Sequence, residues 1–171
     1  MALIPTGSFV NPTTALFSRP LAYGSFSSTQ IQQINPAFPA TAVLTAVYDT
    51  LDITPTEMAC SVPSGDIVVG SAGVYKVLAS AQCDKTSGGS GELDMWVAVD
   101  GTPVPNSATK IQINQNQEGV MTVEWLLELN GGDAISVQLG SPNGGMQLLA
   151  VPASAPTPAI PSIITTVVRI A

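Results

Sequence analysis

Residues 73–83 read GVYKVLASAQC, and apolar side chains occupy every second position of this stretch. The apolar positions are Tyr75, Val77, Ala79, Ala81 and Cys83, and the positions between them include Lys76, Ser80 and Gln82. Because successive side chains of a β-strand point to opposite faces, this period of two predicts a long strand with one buried face. A single strand is not stable alone, so the rest of the chain must supply its partners.

The same period recurs in four later stretches, which are residues 93–99, 121–129, 135–139 and 146–150. Such runs are typical of half-buried strands in antiparallel sheets. The side chains predicted to face inward are Leu93, Met95, Val97, Val99, Met121, Val123, Trp125, Leu127, Leu129, Ile135, Val137, Leu139, Met146, Leu148 and Ala150.

Clusters of turn-forming residues separate these stretches at regular intervals. They lie at residues 70–73, 87–91, 100–101, 130–133 and 142–145. Asp100-Gly101 stands between two alternating runs, where it predicts a tight hairpin. Many short strands at this spacing, with no helical period of any length, predict an all-β fold, either a two-sheet sandwich or a barrel.

The two ends of the chain differ from this pattern. Residues 1–19 carry scattered apolar side chains without alternation, which fits either a frayed terminus or an extended arm that docks on another subunit. The candidate docking residues of the arm are Leu3, Ile4, Phe9, Val10, Leu16 and Phe17. In the final run we expect the core-facing residues to be Ile164, Val168 and Ile170, and the partner-facing residues to be Ile163, Thr165, Val167 and Arg169.

Composition restricts the class of protein. The 171 residues suffice for one well-buried domain, which we place at residues 20–171. Although 45% of the residues are hydrophobic, only 10% are charged, so the surface is largely neutral and suits a protein whose faces are covered by partners. The five basic residues are scattered in a chain of net charge −7, which disfavours binding to nucleic acid.

Insertion into a membrane is not expected either. The longest apolar runs fall well short of the roughly 20 residues that a membrane-spanning helix requires. The first residues lack the basic region and the continuous apolar region of a secretory signal, so either the sequence is a mature form or the protein is made and used without Sec export.

Few side chains are suited to chemistry. Cys60 and Cys83 are predicted to be free, buried thiols, with a disulfide bridge between them as the alternative. The chain contains no histidine, which excludes Ser-His-Asp and Cys-His catalysis and every metal site that depends on histidine. We therefore expect no catalytic residues and no bound cofactor.

Acidic residues are the remaining candidates for a chemical site. Glu124 and Glu128 lie on the same face of a predicted strand, but four strand residues span about 13 Å, more than the roughly 5 to 9.5 Å between the carboxyl groups of glycosidases. For metal ions we expect no site. The alternative is a calcium ion bound by Asp49 and Asp52. Calcium takes six or more oxygen ligands, and the spacing of these residues matches no EF-hand loop.

Five motifs occur in a characteristic order along residues 20–171. They are an aromatic first strand (YGSFSSTQIQQI), Gly73-x-Tyr75, Trp96 followed by Asp100-Gly101, Leu129 followed by Gly132-Asp133, and Pro161-Ser162 before the last strand. This order resembles the complement C1q and tumour necrosis factor jelly-roll superfamily. The resemblance implies an antiparallel two-sheet jelly roll of about ten strands that forms a tight homotrimer.

The resemblance also implies where copies would meet. In that superfamily the first and last strands pair beside each other near the trimer axis. Interface positions are therefore implied at Tyr23, Phe26, Tyr75, Val167 and Arg169.

Two functions are compatible with these expectations. Similar jelly rolls serve viruses and phages as minor capsid, vertex, cement or decoration, and spike proteins. We therefore predict a non-enzymatic virion protein, a homotrimer that stabilises or decorates an icosahedral capsid and contacts the major capsid protein. The alternative is an extracellular recognition head, similar to that of complement C1q, that binds a receptor or a glycan.

Overall fold

The computed structural model describes residues 21–34 and 43–171, which form fourteen β-strands in two antiparallel sheets. Within these residues, no helix combines the length and the apolar character needed to cross a lipid bilayer. The predicted arm, residues 1–19 with Leu3, Ile4, Phe9, Val10, Leu16 and Phe17, lies outside the described residues.

The strands are β1 (Tyr23–Ser28), β2 (Gln32–Ile34), β3 (Leu44–Thr45), β4 (Thr50–Thr56), β5 (Met58–Ala59), β6 (Ile67–Val69), β7 (Gly73–Lys85), β8 (Gly91–Val99), β9 (Thr102–Pro103), β10 (Thr109–Ile113), β11 (Glu118–Leu129), β12 (Ala134–Gly140), β13 (Met146–Leu148) and β14 (Ile163–Arg169).

The all-β class and the two-sheet antiparallel sandwich are confirmed, whereas the number of strands exceeds the ten that were expected. The number of strands is larger because some predicted strands are interrupted. The opening stretch, for example, divides into β1 and β2 around a turn at residues 29–31.

The first sheet is organised around β7. One edge of this 13-residue strand pairs with β11, and the other pairs with β14 and then with β13. Beyond β14 follow β1 and β4. The first and last strands therefore lie side by side, with Tyr23 opposite Val168 and Ser28 opposite Ile163.

The second sheet has the order β10–β8–β12–β6–β5, with β9 beside β8 and β3 beside β12. Its tight hairpin occurs where the sequence predicts it. Asp100 and Gly101 have φ values of 50° and 74°, the left-handed region that such a turn requires, and Val99 pairs with Thr102 across it. The Asp100 carboxylate also accepts a hydrogen bond of 2.9 Å from the Ala134 amide, which ties the hairpin to β12.

The core lies between the two sheets, and the alternating stretches supply it as predicted. The predicted inward side chains of β7, β8, β11 and β12 are buried or packed against the buried cluster. Each fully buried large apolar side chain stabilises the fold by about 1.5–3 kcal/mol. Polar atoms that enter the core are paired: the Trp125 indole donates to the Ser107 carbonyl at 2.8 Å, and the Tyr48 and Thr165 hydroxyls lie 2.8 Å apart.

Both cysteines are free and buried in the described part of the chain, which confirms the expectation of unpaired thiols. Burial raises the pKa of Cys60, and it raises the pKa of Cys83 to about 12. A thiol is nucleophilic only as its thiolate, so neither side chain is poised for reaction near neutral pH.

The predicted orientation of the last strand is wrong. Val167 pairs with Val77 and Thr165 pairs with Ala79, so these side chains share the inward face of β7. Ile163, Thr165, Val167 and Arg169 are buried, whereas Ile164 is 40% exposed and Ile170 is 55% exposed. The run IITTVVRI is apolar on both faces, so its period alone did not distinguish the core face from the outer face.

Four of the five implied interface residues are consequently inside the protomer. Phe26, Tyr75 and Val167 are fully buried, and Arg169 is buried with its guanidinium donating to the Ser71 hydroxyl. Phe26 packs against Tyr48 with ring centroids 6.0 Å apart, which is a core contact. Only Tyr23 of this set lies at the surface among the described residues.

Candidate assembly surface

The face of the first sheet that points away from the core carries exposed apolar side chains on four of its strands. Strand pairing places Tyr23, Val168, Lys76 and Leu126 in one row across β1, β14, β7 and β11. We call this surface the outer face of the first sheet. Its exposed apolar side chains are Tyr23 (38%), Ile53 (52%), Val120 (55%), Leu126 (62%) and Ile164 (40%).

Four polar side chains of this outer face are paired with one another. Lys76 Nζ lies 2.6 Å from Glu124 Oε2, and each side chain is less than half exposed. The Thr122 hydroxyl donates to the Ser80 hydroxyl at 3.0 Å. Glu118 and Glu128 are also exposed on this face of β11, so a partner that covers the face must leave these two carboxylates in water or pair them.

Tyr23 is the implied interface residue that this surface retains. The residues that sequence reasoning missed are Ile164 and Val168, which it had assigned to the core, and Ile53, Val120 and Leu126. The signal that could have identified them is register: once Val77 faces inward, its partner Val167 must do so too, and the neighbours Thr166 and Val168 must face outward.

Three of the four carboxylates considered as catalytic or metal-binding candidates have structural partners, and the fourth, Glu128, is exposed on the same face of β11 as Glu124. Glu124 faces outward, as predicted, and pairs with Lys76. Asp49 accepts hydrogen bonds from the Thr29 amide at 3.0 and 3.1 Å, from the Thr29 hydroxyl at 2.8 Å and from the Thr50 hydroxyl at 2.9 Å. Asp52 accepts a bond of 2.9 Å from the Ser27 hydroxyl.

This arrangement assigns Asp49 a structural role in the turn between β1 and β2. Both of its oxygens are used by protein donors. Among residues 21–34 and 43–171, no three cysteine, aspartate or glutamate side chains gather into a metal-binding group. Burial alone would raise the pKa of Asp49, but the hydrogen bonds from Thr29 and Thr50 outweigh it and hold the pKa below its usual value.

Replacing Asp49 is expected to destabilise the fold in a pH-dependent way. A lowered pKa in the folded state contributes stability that is complete above the unfolded pKa of about 4 and is lost as pH falls through the folded value. Asp49→Asn should lower the free energy of unfolding by about 1 kcal/mol at pH 7. The difference from the unmodified protein should shrink when urea unfolding is repeated near pH 2.5.

Asp66→Asn is the matched control, because Asp66 is exposed and the same charge is removed. An equal loss of stability in both variants, or a difference that does not depend on pH, would contradict the role of Asp49 in this turn.

Comparison with known proteins finds similarity only at the level of structure. No protein-family model matches the chain, and no curated protein matches it. The globular domain of zebrafish complement 1qA protein superimposes with a TM-score of 0.56 at 12% identity, over 88% of this chain and 98% of that one. The chain has the C1q/TNF-like jelly-roll fold.

Two crystal structures of murine APRIL show the same similarity to this jelly roll. The structure at pH 8.5 has a TM-score of 0.52 at 11% identity, and the structure at pH 5.0 has a TM-score of 0.53 at 10% identity. Each comparison covers 88% of this chain and 100% of the other. The fold implied by the sequence motifs is thereby confirmed.

Proposed function

We propose that this jelly roll is a homotrimeric structural protein of a virus or phage particle, in a minor capsid, vertex, cement or decoration, or spike role. The observation that carries the trimer is the outer face of the first sheet, where Tyr23, Ile53, Val120, Leu126 and Ile164 are exposed together. Apolar surface of this kind marks a protein–protein contact. The C1q/TNF-like fold supports self-association through this sheet.

Assembly would bury this face against neighbouring copies. Stable interfaces cover about 800 Å² per partner and are depleted of charge at their centre. On this face the Lys76 and Glu124 charges are paired and the Thr122 and Ser80 hydroxyls are bonded to each other, whereas Glu118 and Glu128 would lie at the rim of the contact. Exclusion of water should then stabilise the trimer mainly through the hydrophobic effect.

The role in a particle rests on the composition of the whole chain. Only 10% of the residues are charged, which suits a surface covered by neighbouring subunits. Residues 1–19 include the six candidate docking side chains, which suit an arm that attaches the trimer to neighbouring subunits, including the major capsid protein. The proposed role is structural and requires no catalytic step.

The test measures assembly and incorporation separately. Mass photometry at micromolar concentration should give three times the chain mass of 17.5 kDa. Deleting residues 1–19 should leave the trimer intact and remove the protein from particles purified with the major capsid protein, as measured by mass spectrometry. A monomer would refute the trimer, and undiminished incorporation would refute the role of the arm.

An extracellular recognition head is the second candidate function. It is favoured by the similarity to the globular domain of complement 1qA protein. Under this alternative, the trimer would form but would be recovered outside cells and not in purified particles. The same fractionation therefore separates the two functions.

A further inference from the structure

An apolar groove of about 560 Å³ opens at one end of the jelly roll. One wall is the turn between β1 and β2, at residues 29–31. The other wall is the base of a long hairpin between β13 and β14, at residues 150–152 and 159–161. None of the described residues that line the groove is charged. Its occupant should therefore be apolar.

Hydrogen bonds hold both walls in place without any ligand. Asp49 fixes the first wall through the Thr29 amide and hydroxyl. In the second wall, Val151 and Ile160 exchange two backbone hydrogen bonds of 2.9 Å, which close the base of the hairpin. Ile31 and Val151 nevertheless remain 50% and 37% exposed. A groove formed in advance avoids the cost of ordering its walls on binding.

Residues 1–19 of the chain have the chemistry that fits this groove. They contain three pairs of neighbouring apolar side chains: Leu3 and Ile4, Phe9 and Val10, and Leu16 and Phe17. They contain no acidic residue and one basic residue, Arg19, whereas all twelve acidic residues lie between positions 49 and 133. The segment is thus apolar enough to enter the groove and is not repelled by the acidic body.

Chain direction determines which copy can supply the segment. Strand β1 begins at Tyr23, opposite Val168, and ends at Ser28 next to the groove. Residue 21, where the described chain begins, therefore lies toward the end of the jelly roll opposite the groove, about 20 Å away along the six-residue strand.

To enter its own groove, the segment would have to reverse direction and run back past β1. A copy placed end to end would instead present its groove beyond residue 21, where the described chain begins. Twenty extended residues reach about 65 Å, which is ample for this contact. We infer that residues 1–19 of a second copy dock in the groove at residues 29–31 and 150–161, joining jelly-roll trimers end to end; the inference rests on the proposed trimer.

Three segments and three grooves would meet in each such contact. Linking several weak sites in one rigid assembly raises the overall affinity far above that of a single site. The contact is heterologous, because a segment on one copy meets a groove on the other, and it can repeat along an axis. Each trimer would accordingly have one donating end and one accepting end.

A disulfide cross-link in the full-length protein tests the contact. Phe9→Cys is combined with Val151→Cys, and the buried Cys60 and Cys83 do not compete for oxidation. After mild oxidation, non-reducing denaturing electrophoresis should show covalently linked copies. The matched control combines Phe9→Cys with Ser90→Cys, an exposed position at the same end of the sandwich but outside the groove, and should give several-fold less product.

Equal yields at positions 151 and 90 would overturn the inference. A disulfide confined to single chains would also overturn it, because the groove would then hold its own segment.

A second pair of variants tests the contact without cross-linking. Val151→Asp should reduce assemblies larger than the trimer several-fold in mass photometry and leave the trimer intact, whereas Ser90→Asp should change neither. Unchanged larger assemblies in Val151→Asp would contradict docking in the groove. Absence of trimers from the unmodified protein would instead refute the proposed function on which the inference rests.

Discussion

Val167→Asp should prevent the jelly roll from folding. Val167 is fully buried, lies opposite Val77 in β7 and has Gly24 beside it in β1. An aspartate there would place an unpaired carboxylate in the core of the sandwich. Burial would raise the pKa of this carboxyl group until the group is neutral. A neutral carboxyl group without a partner, together with the lost valine contacts, still costs several kcal/mol, which is about the whole stability of a domain of this size. Circular dichroism and solubility after expression measure the loss.

The adjacent residue provides a matched control. Val168 points to the outer face of the first sheet, so Val168→Asp should fold, because its carboxylate can reach water in a single protomer. If Val167→Asp folds and Val168→Asp does not, β14 turns its other face to the core. If both variants unfold equally, the two faces of this strand do not differ as the burial indicates.

Ile164→Asp should abolish the proposed trimer while preserving the fold. Ile164 is 40% exposed on the outer face of the first sheet, so a single copy should tolerate the change within about 1 kcal/mol. In the trimer the charge would be buried at each contact, with an expected cost of about 2–4 kcal/mol, or about 30- to 1,000-fold in affinity. Sedimentation at micromolar concentration should then show mainly monomer with an unchanged circular dichroism spectrum.

Val68→Asp is the control for Ile164→Asp. Val68 is also a β-branched strand residue at the surface, 37% exposed, but it belongs to β6 in the second sheet. The variant should remain trimeric. Dissociation of Val68→Asp together with a trimeric Ile164→Asp would place the assembly surface on the second sheet.

Strands with one polar face could be predicted from the sequence, because a period of two identifies the buried face directly. In β7, Lys76 and Gln82 alternate with buried neighbours, and the predicted core side is confirmed. In β14, apolar residues occupy both faces, so the same reasoning had no polar marker and chose the wrong side. Its register against β7 is a tertiary fact, and a shift by one residue reverses every side chain.

The candidate site was less predictable than the fold for a related reason. The resemblance correctly placed β1 beside β14, but of the interface side chains implied on these two strands only Tyr23 is at the surface. Phe26 and Tyr75 are large aromatic residues, and both are in the core. Asp49 shows the same limit, because its hydrogen bonds come from Thr29, twenty positions away, and could not be read from local spacing.

The position of β1 also determines how the first sheet resists a mechanical pull. The strand lies between β14 and β4, and its hydrogen bonds to both run perpendicular to its axis. Tension applied at residue 21 along β1 would load both ladders in shear, so many bonds must break together. Tension that separates Tyr23 from Val168 sideways would instead open the ladder one bond at a time. A pull along the axis of β1 is therefore the direction in which this sheet should resist most strongly.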